Sequence, residues 1–390
     1  MPFRILYAAP LGPGGTSLYR FHALERLKQT VIPFETEAYP AGSKIINALR
    51  SRLRAGPLVA RINADLLAAI EREQPNVVWF DKPVHFTPST IGRIRQTGAF
   101  TVCYNQDNPF GPRHDPGWYQ LRRIHRLLDL HCLFRNADIP RYRQWKLNTI
   151  KIQLSYDPVA HFPPPSGWSD RDRTREVSYI GTPLEERPQF LRQLIEKHKL
   201  PVSISGPRWE KVLSAREFGR WVRGGMLLDA AYREEIWRSK INLAFVTRLN
   251  EEDVAHKAFE IAACQGFLLA LRTPGHQACF EEGKEAEFFS SVEECAEKCR
   301  YYLEHAEERK EIARRGCERA RISGYDNDTQ LARVLERIGE YRPETPARRI
   351  TTAFRAGRRD PESEELMATG NERSPDAAAA NRPRNAGDES

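Results

Sequence analysis

The chain has 390 residues, of which 40% are hydrophobic and 29% charged, and its formal net charge is +8 at pH 7. That length supplies two cores rather than one; no apolar run approaches the ~18 residues of a membrane-crossing helix, and the opening M-P-F-R-I-L-Y-A-A-P has the pattern of a strand, not of a secretory leader. The seven cysteines contain no C-x-x-C and mostly sit inside apolar patterns, which argues against a disulfide framework or a zinc site and for reduced thiols in a cytoplasmic protein.

In chain order, apolar runs at 4–9, 31–34, 77–80, 100–104, 130–134 and 150–154 predict strands, with helical patterns between most of them, as at 58–73 and 119–128. Short β-rich runs alternating with helices of about 10–15 residues mean βαβ units and a parallel sheet. Residues 156–176 are proline-rich and then charged, the best linker in the chain. The second half repeats the grammar, with strands at 177–180, 202–205, 241–246 and 267–271 and helices at 186–198, 230–240, 255–264, 292–305, 306–321 and 328–340. Gly266 stands where a helix C-cap glycine belongs. The predicted fold class is α/β: a first Rossmann-like domain over 1–160, a linker at 161–175 and a second domain over 176–324. Beyond about residue 342 large apolar residues become scarce, and 343–390 is predicted to be a disordered tail.

The charge is unevenly spread. Residues 1–165 hold 22 Lys+Arg against 12 Asp+Glu, residues 166–342 hold 30 against 31, and the remainder 8 against 9. The excess therefore lies in the first half, at 44–61 and 122–151 above all. It points to an anionic surface there (a lipid headgroup, a charged glycan or a nucleic acid), with solubility alone as the plainer reading. The first of these segments is amphipathic and compatible with a membrane face.

In open α/β sheets, ligands bind outside the carboxyl ends of the strands, so the loops after predicted strands are the candidate sites. The first, P-L-G-P-G-G-T-S at 10–17, carries Gly14 and Gly15; glycine lets backbone N–H groups approach an oxyanion, and the next helix adds its positive end. A plain βα turn is the equal alternative. In Y-I-G-T-P at 179–183, Gly181 precedes Arg187, which could neutralise phosphate or be an ordinary exposed first-turn arginine. The turn at 203–209 offers Gly206 and Arg208, with Trp209 more readily core than base platform. His256 and Lys257 open a helix, where a diphosphate is already favoured by the N–H groups and a lysine adds a full charge. Thr273-Pro274-Gly275-His276 reads as a tight turn at a cleft rim, with His276 the weaker candidate there. On the first half, Y-N-Q-D-N-P-F-G at 104–111 places Asp107 and Asn108 at a strand's carboxyl end, so Asp107 is the first candidate for a catalytic or acceptor-orienting carboxylate; His85 and His114 come second. Asp170-Arg171-Asp172 and Asp326-Asn327-Asp328 mimic a metal-binding D-x-D. One falls in the linker, and the other precedes a helix, where Asp328 or Asn327 is a good N-cap. No metal is expected.

One stretch stands apart: N-E-E-D-V-A-H-K-A-F-E-I-A-A-C-Q-G-F-L-L-A-L at 250–271, with Glu252 and Glu260 as E-x7-E. With T-P-G-H and F-E-E-G-K-E-A-E-F-F-S-S-V-E-E behind it, this wording resembles the group-1 glycosyltransferases of the two-domain GT-B fold, closest to the spore-maturation CgeB-like branch. It departs from that branch in having Lys257-Ala258 where Arg-Thr or Arg-Ser is usual. The likeness is good over about 176–335 and architectural before that. It implies two Rossmann-like domains facing a cleft and a C-terminal helix, 325–342, crossing back onto the first domain. It implies that Glu260 binds the ribose hydroxyls of a nucleotide sugar. It assigns Glu252 to the sugar or diphosphate, with Glu251 and Asp253 competing for that place. It lines the donor cleft with Gly181 and the acceptor side with the Gly14-Gly15 loop.

The expected activity is transfer of a sugar from a nucleotide-sugar donor to an acceptor on the first domain, without metal or cofactor and, by the resemblance, with retention of configuration. Catalytic candidates are Asp107 and Glu252; donor candidates are Gly181, Arg187, Gly206, Arg208, His256, Lys257 and Glu260; cleft candidates are Gly14, Gly15, His85 and Asn108. The acceptor is expected to be anionic or lipid-linked, with a peripheral membrane contact through the basic first domain and no nucleic-acid partner. A nucleotide-sugar isomerase or phosphorylase, and a non-catalytic glycan-binding or surface-assembly protein, remain as alternatives.

Overall fold

The computed structural model describes residues 2–39, 54–113 and 115–341. Residues 44–53 of the basic amphipathic segment, His114 and the tail at 343–390 lie outside the described residues. Residues 1–341 form one compact unit.

The first half alternates β1 (Arg4–Ala9), α1 (Thr16–Arg26), β2 (Thr30–Glu35), α2 (Pro57–Glu73), β3 (Val77–Asp81), α3 (Pro88–Gln96), β4 (Phe100–Tyr104), α4 (Gly117–Ile124), β5 (Leu130–Leu133), α5 (Asp138–Gln144) and β6 (Thr149–Lys151). Its six strands run parallel in the order β2-β1-β3-β4-β5-β6. The second half continues with β7 (Arg175–Ile180), α6 (Arg187–Glu196), β8 (Val202–Ser205), α7 (Ala215–Trp221), β9 (Val222–Gly224), α8 (Asp229–Trp237), β10 (Ser239–Ala244), α9 (His256–Ala263), β11 (Leu268–Leu271), α10 (Pro274–Cys279) and β12 (Glu287–Phe289). It closes with α11 (Val292–Glu304), α12 (Ala306–Ile322) and α13 (Asn327–Glu340). Its strands are also parallel, in the order β12-β11-β10-β7-β8-β9. The α/β expectation of two Rossmann-like halves is met.

Both sheets are covered by helices on both faces, which is why their strands read as apolar runs rather than alternating ones. Along β1, Ile5, Tyr7 and Ala9 enter one core and Leu6 and Ala8 the other. Along β11, Leu269 and its neighbours Leu268 and Ala270 divide between two cores in the same way. Each large apolar side chain so buried stabilises the fold by about 1.5–3 kcal/mol.

Helix α13 returns to the first half. Its Leu331, Val334, Leu335 and Ile338 lie in the same core as Tyr7, Phe21 and Trp79. The Arg26 Nε donates to Asp328 Oδ2 at 2.9 Å, and Gln153 N donates to Gln330 Oε1 at 2.9 Å. The N-cap is Asp326, whose side chain accepts from Thr329 N at 2.8 Å; it is neither Asn327, which is buried against Ser155, nor Asp328, which pairs with Arg26. A cap must sit one residue before the first helical turn, and the helix begins at Asn327.

A second end differs from expectation. After α9 the left-handed residue is Gln265 (φ 53), not Gly266. Gln265 N donates to Ala262 O and Gly266 N to Ile261 O, both at 2.9 Å, a Schellman pattern with a non-glycine at its turn. Gly266 is small for another reason: a Cβ there would stand 2.7 Å from Ile236 Cγ2.

The strand order reverses between β1 and β3 in the first sheet and between β7 and β10 in the second. The crevices at the carboxyl ends of these strands are where open α/β sheets take ligands.

Candidate active site

At the reversal of the second sheet two glycine turns interlock. Gly206 has φ +144, and a Cβ there would stand 2.1 Å from Gly181 O; Gly181 N donates to Ser205 O at 2.8 Å. Only glycine can follow β8 with β7's turn this close. Trp209 donates its Nε1 to Gly181 O at 2.8 Å and is fully buried, so it fastens the turns rather than offering a face to a base. Arg208 is exposed beside them.

Arg187, the first residue of α6, folds under the loop that follows β10. Its Nη2 donates to Val246 O at 3.1 Å and Thr247 Oγ1 at 3.0 Å, and its Nη1 to Tyr179 OH at 3.3 Å. The residue is buried, its Nε has no partner, and among the described residues no carboxylate pairs with it. A buried guanidinium without a counter-ion is costly unless an anion completes the site.

Glu260, one turn into α9, is buried as well. Its Oε2 accepts from Tyr232 OH at 2.6 Å. Among the described residues its Oε1 has no donor within hydrogen-bonding distance, but it faces His256 Nε2 at 3.9 Å and His161 Nε2 at 4.0 Å. Burial pushes the carboxyl up, but His256, His161, Lys257 and the Tyr232 hydroxyl outweigh it and hold the group down at about 2. His161 is itself driven toward its neutral form, chiefly by burial, against the pull of Glu260. Lys257 Nζ stands 4.7 Å from the centre of the Tyr232 ring; burial and then Arg187 push its ammonium down, against the pull of Glu260. His256 Nε2 donates to Ser155 O at 2.8 Å, which ties the start of α9 to the connecting segment.

The loop before α9 is held from within. Glu252 Oε2 accepts from Thr247 N at 2.7 Å and its Oε1 from Asn250 Nδ2 at 3.0 Å. Residues 273–276 are the start of α10 rather than a free turn: Thr273 caps it by accepting from His276 N. His276 is fully buried. Its Nδ1 donates to Leu271 O at 2.7 Å and its Nε2 accepts from Ala255 N at 3.0 Å, which leaves neither nitrogen for a ligand. Burial holds its pKa down at about 4 despite the Leu271 carbonyl.

Across from this loop stand the ends of β4 and β5. Asp107 receives Lys82 Nζ at 2.6 Å on Oδ2 and Arg113 Nη1 at 3.3 Å on Oδ1. Asn108 joins the halves: its N donates to Asn250 Oδ1 at 2.7 Å and its Nδ2 to Glu251 Oε2 at 2.5 Å. Asn136 N donates to Asp253 Oδ2 at 3.1 Å. Between them a cavity of about 120 Å³ is lined by Asp107, Arg135, Asn250, Glu252, Asp253 and His256. Asp107, Glu252 and His256 thus meet in one place, with Glu260 and Lys257 against Tyr232 and Arg187 near enough to Lys257 to act on its charge. Gly15 is the residue before α1, and Gly14 (φ +67) touches the second half, since a Cβ there would stand 2.7 Å from Leu228 Cβ. His85 is elsewhere, buried with its Nε2 3.2 Å from Glu37 Oε1 and 3.4 Å from Arg54 Nη1.

Four groups at the site escaped sequence reading. Tyr232 and His161 contact or face Glu260, and Tyr19 crosses from α1 to donate to Asp229 Oδ1 at 2.7 Å. None lies in a glycine turn or next to E-x7-E, so spacing gave no cue.

A family described as glycosyl transferase-like matches residues 186–336. Sucrose-phosphate synthase from Thermosynechococcus elongatus is similar in structure with a TM-score of 0.63 at 12% identity, over 86% of this chain and 99% of that one. HepE from Anabaena, in a structure described as a complex with UDP-glucose, gives 0.61 at 15% identity over 87% and 100%. Trehalose 6-phosphate synthase from Burkholderia multivorans gives 0.59 at 12% over 87% and 99%. No curated protein matches the chain by sequence. The architecture is that of the GT-B glycosyltransferases, and the family match over the second half together with that architecture supports a glycosyltransferase.

Proposed function

We propose that the chain transfers a sugar from a nucleotide-sugar donor to an acceptor bound on its first half, with retention of configuration and without a metal ion, in the manner of the CgeB-like branch. One observation carries this reading. A buried carboxylate, Glu260, stands near the start of α9 with one oxygen that has no donor among the described residues; it acts on the charge of Lys257, which in turn feels Arg187, and among the described residues neither cation forms an ion pair with a carboxylate. A nucleoside diphosphate offers two vicinal hydroxyls for the carboxylate and a diphosphate for the cations and the α9 N–H groups.

In this reading Glu260 Oε1 accepts from the ribose, while Lys257 and Arg187 neutralise the diphosphate as it departs, which is the electrostatic task a metal would otherwise perform. Gly181 and Gly206 let the two turns interlock beneath the donor, and exposed Arg208 adds positive charge at its rim. The bond from the anomeric carbon to the diphosphate oxygen breaks as the bond to the acceptor oxygen forms, and on a retained face the departing phosphate is the nearest group able to take the acceptor's proton. Lys82 and Arg113 already hold both oxygens of Asp107, so it orients the acceptor hydroxyl better than it removes a proton. Glu252 fixes the loop and turns its remaining lone pairs to the sugar. The protein works in the cytoplasm, with the basic first half toward an anionic or lipid-linked acceptor at the membrane's inner face. Among the described residues no helix is long and apolar enough to cross a membrane.

The test is calorimetric titration of nucleoside diphosphates and their sugars, uridine diphosphate first, in excess EDTA. Binding and donor turnover should persist. Failure of every nucleotide to bind, or binding and turnover that only Mg²⁺ or Mn²⁺ restores, overturns the corresponding part of the reading.

A further inference from the structure

The positive excess of the first half is concentrated on one face. Along α4 and the turn after it, Tyr119, Arg122, Arg123 and Arg126 are exposed at i, i+3, i+4 and i+7, while Trp118, Leu121, Ile124 and His125 are buried. This is the exposed stripe of an amphipathic helix. It does not stop at the helix. The Arg122 guanidinium stands 5.7 Å from the centre of the Phe110 ring, and Arg141, from α5, stands 5.1 Å from the same centre. Arg126 stands 5.4 Å from the centre of the Trp145 ring.

Among the described residues none of these three forms an ion pair: Arg122 Nε donates to Pro109 O at 2.8 Å, and Asp138, whose charge Arg141 feels, is buried and taken by Arg135 at 2.8 Å. Two like charges held over one ring with no counter-ion repel each other. Burial, and then the Arg141 charge, push the Arg122 guanidinium down. The aromatic faces explain why the geometry is tolerated, since a ring fixes a guanidinium while leaving its outer N–H groups unused. Those N–H groups form forks suited to a tetrahedral oxyanion. Phe110 is only three residues beyond Asp107, within about 10 Å along the chain. The cations therefore begin beside the acceptor side of the cleft.

We propose that Arg122 and Arg141 over Phe110, continued by Arg126 over Trp145, bind a phosphate-class anion carried by the acceptor. This rests on the acceptor lying on the first half, and it names the acceptor's chemistry: a phosphate ester, free in solution or borne on a lipid headgroup.

The variant is Arg122→Gln/Arg141→Gln, both exposed, beside Arg314→Gln/Arg315→Gln as a control of equal charge change at arginines already paired with Glu311. One arm titrates inorganic phosphate by calorimetry. The other sediments the protein with vesicles of phosphatidylcholine, with and without phosphatidylglycerol, at physiological salt. Arg122→Gln/Arg141→Gln should lose at least ~10-fold in affinity while the control loses less than ~2-fold, by the usual conversion of one charge-assisted contact to affinity. Loss in the phosphate arm assigns a soluble phosphate acceptor, and loss confined to phosphatidylglycerol vesicles assigns a lipid-borne one. Parent-like binding by the variant in both arms, or no binding by the parent in either, overturns the proposal. Nucleotide affinity is read in the same proteins and should stay at the parent level, so failure of the donor reading is seen separately from failure of this one.

Discussion

A glutamate within F-E-I-A-A-C costs free energy unless it has partners. Glu260 has one full partner, Tyr232, and one oxygen left toward the histidines. Replacing it by Gln removes the charge and keeps the shape, and a hydrogen bond to a charged group is worth ~1.5–3 kcal/mol. Glu260→Gln should therefore weaken nucleotide binding roughly 10- to 100-fold, read by calorimetry; a parent-like affinity would move the donor site off α9. The motif marks this residue as a candidate in the sequence, but nothing there marks Tyr232 and His161, because they reach it from 28 and 99 positions away through the packing of α8 and the connecting segment. His276 shows the converse: a histidine beside a cleft in sequence, consumed by two backbone bonds in the structure. Its native pKa, held at about 4 by burial, lies below the ~6.5 of an unfolded chain. As pH falls the unfolded state takes the proton first. The stability from neutral His276 is thus complete above ~6.5 and is lost progressively down to about 4, by ~3 kcal/mol. Urea unfolding across that range should show a smaller decline in His276→Gln than in the parent. Parallel declines would mean His276 is not held neutral.

Among elements, the long ones were legible because an apolar run or a repeat near 3.6 residues spans them. Strands β9 (V-R-G) and β12 (E-F-F) were not, since three residues carry no period, and pairing with β8 and β11 alone makes them strands. The start of α10 reads as a turn in the sequence because Pro and Gly dominate it, yet Pro at the first turn and a Thr cap begin a helix as readily. Gly275 within it separates two physical effects. Intrinsic propensity favours alanine there by roughly 1 kcal/mol. However, a Cβ would stand 2.3 Å from Asp253 O, the carbonyl that also accepts from Thr273 Oγ1. Overpacking of that kind costs about 1–3 kcal/mol. Gly275→Ala should therefore lower stability in chemical denaturation and loosen the 252–254 loop. A stabilised variant would show that the helix, not the contact, dominates.

At the scale of the molecule, the proposed reading gives the donor groups to one half and the acceptor groups to the other, so the chemistry it describes depends on how the halves meet. They meet at defined points: Asn108 on Asn250 and Glu251, Tyr19 on Asp229, and Gly14 against Leu228. Gly14 is the sharpest test, because any side chain there lands on Leu228. Gly14→Ala should leave nucleotide affinity within about 2-fold, since Glu260, Lys257 and Arg187 are untouched, while turnover falls by ~10- to 100-fold, the range expected for a misplacement near 1 Å. Strain from φ +67 would also burden an alanine, so the contact has to be separated from the backbone. Leu228→Gly removes the whole obstacle, the nearest atom Cβ included, without altering Gly14. If the seam is what matters, Gly14→Ala/Leu228→Gly regains most of the lost turnover, and the two substitutions are non-additive as contacting residues should be. If the double variant is as slow as Gly14→Ala alone, backbone strain in the glycine loop accounts for the loss. If Gly14→Ala turns over like the parent, the approach of Gly14 to Leu228 is not required for catalysis.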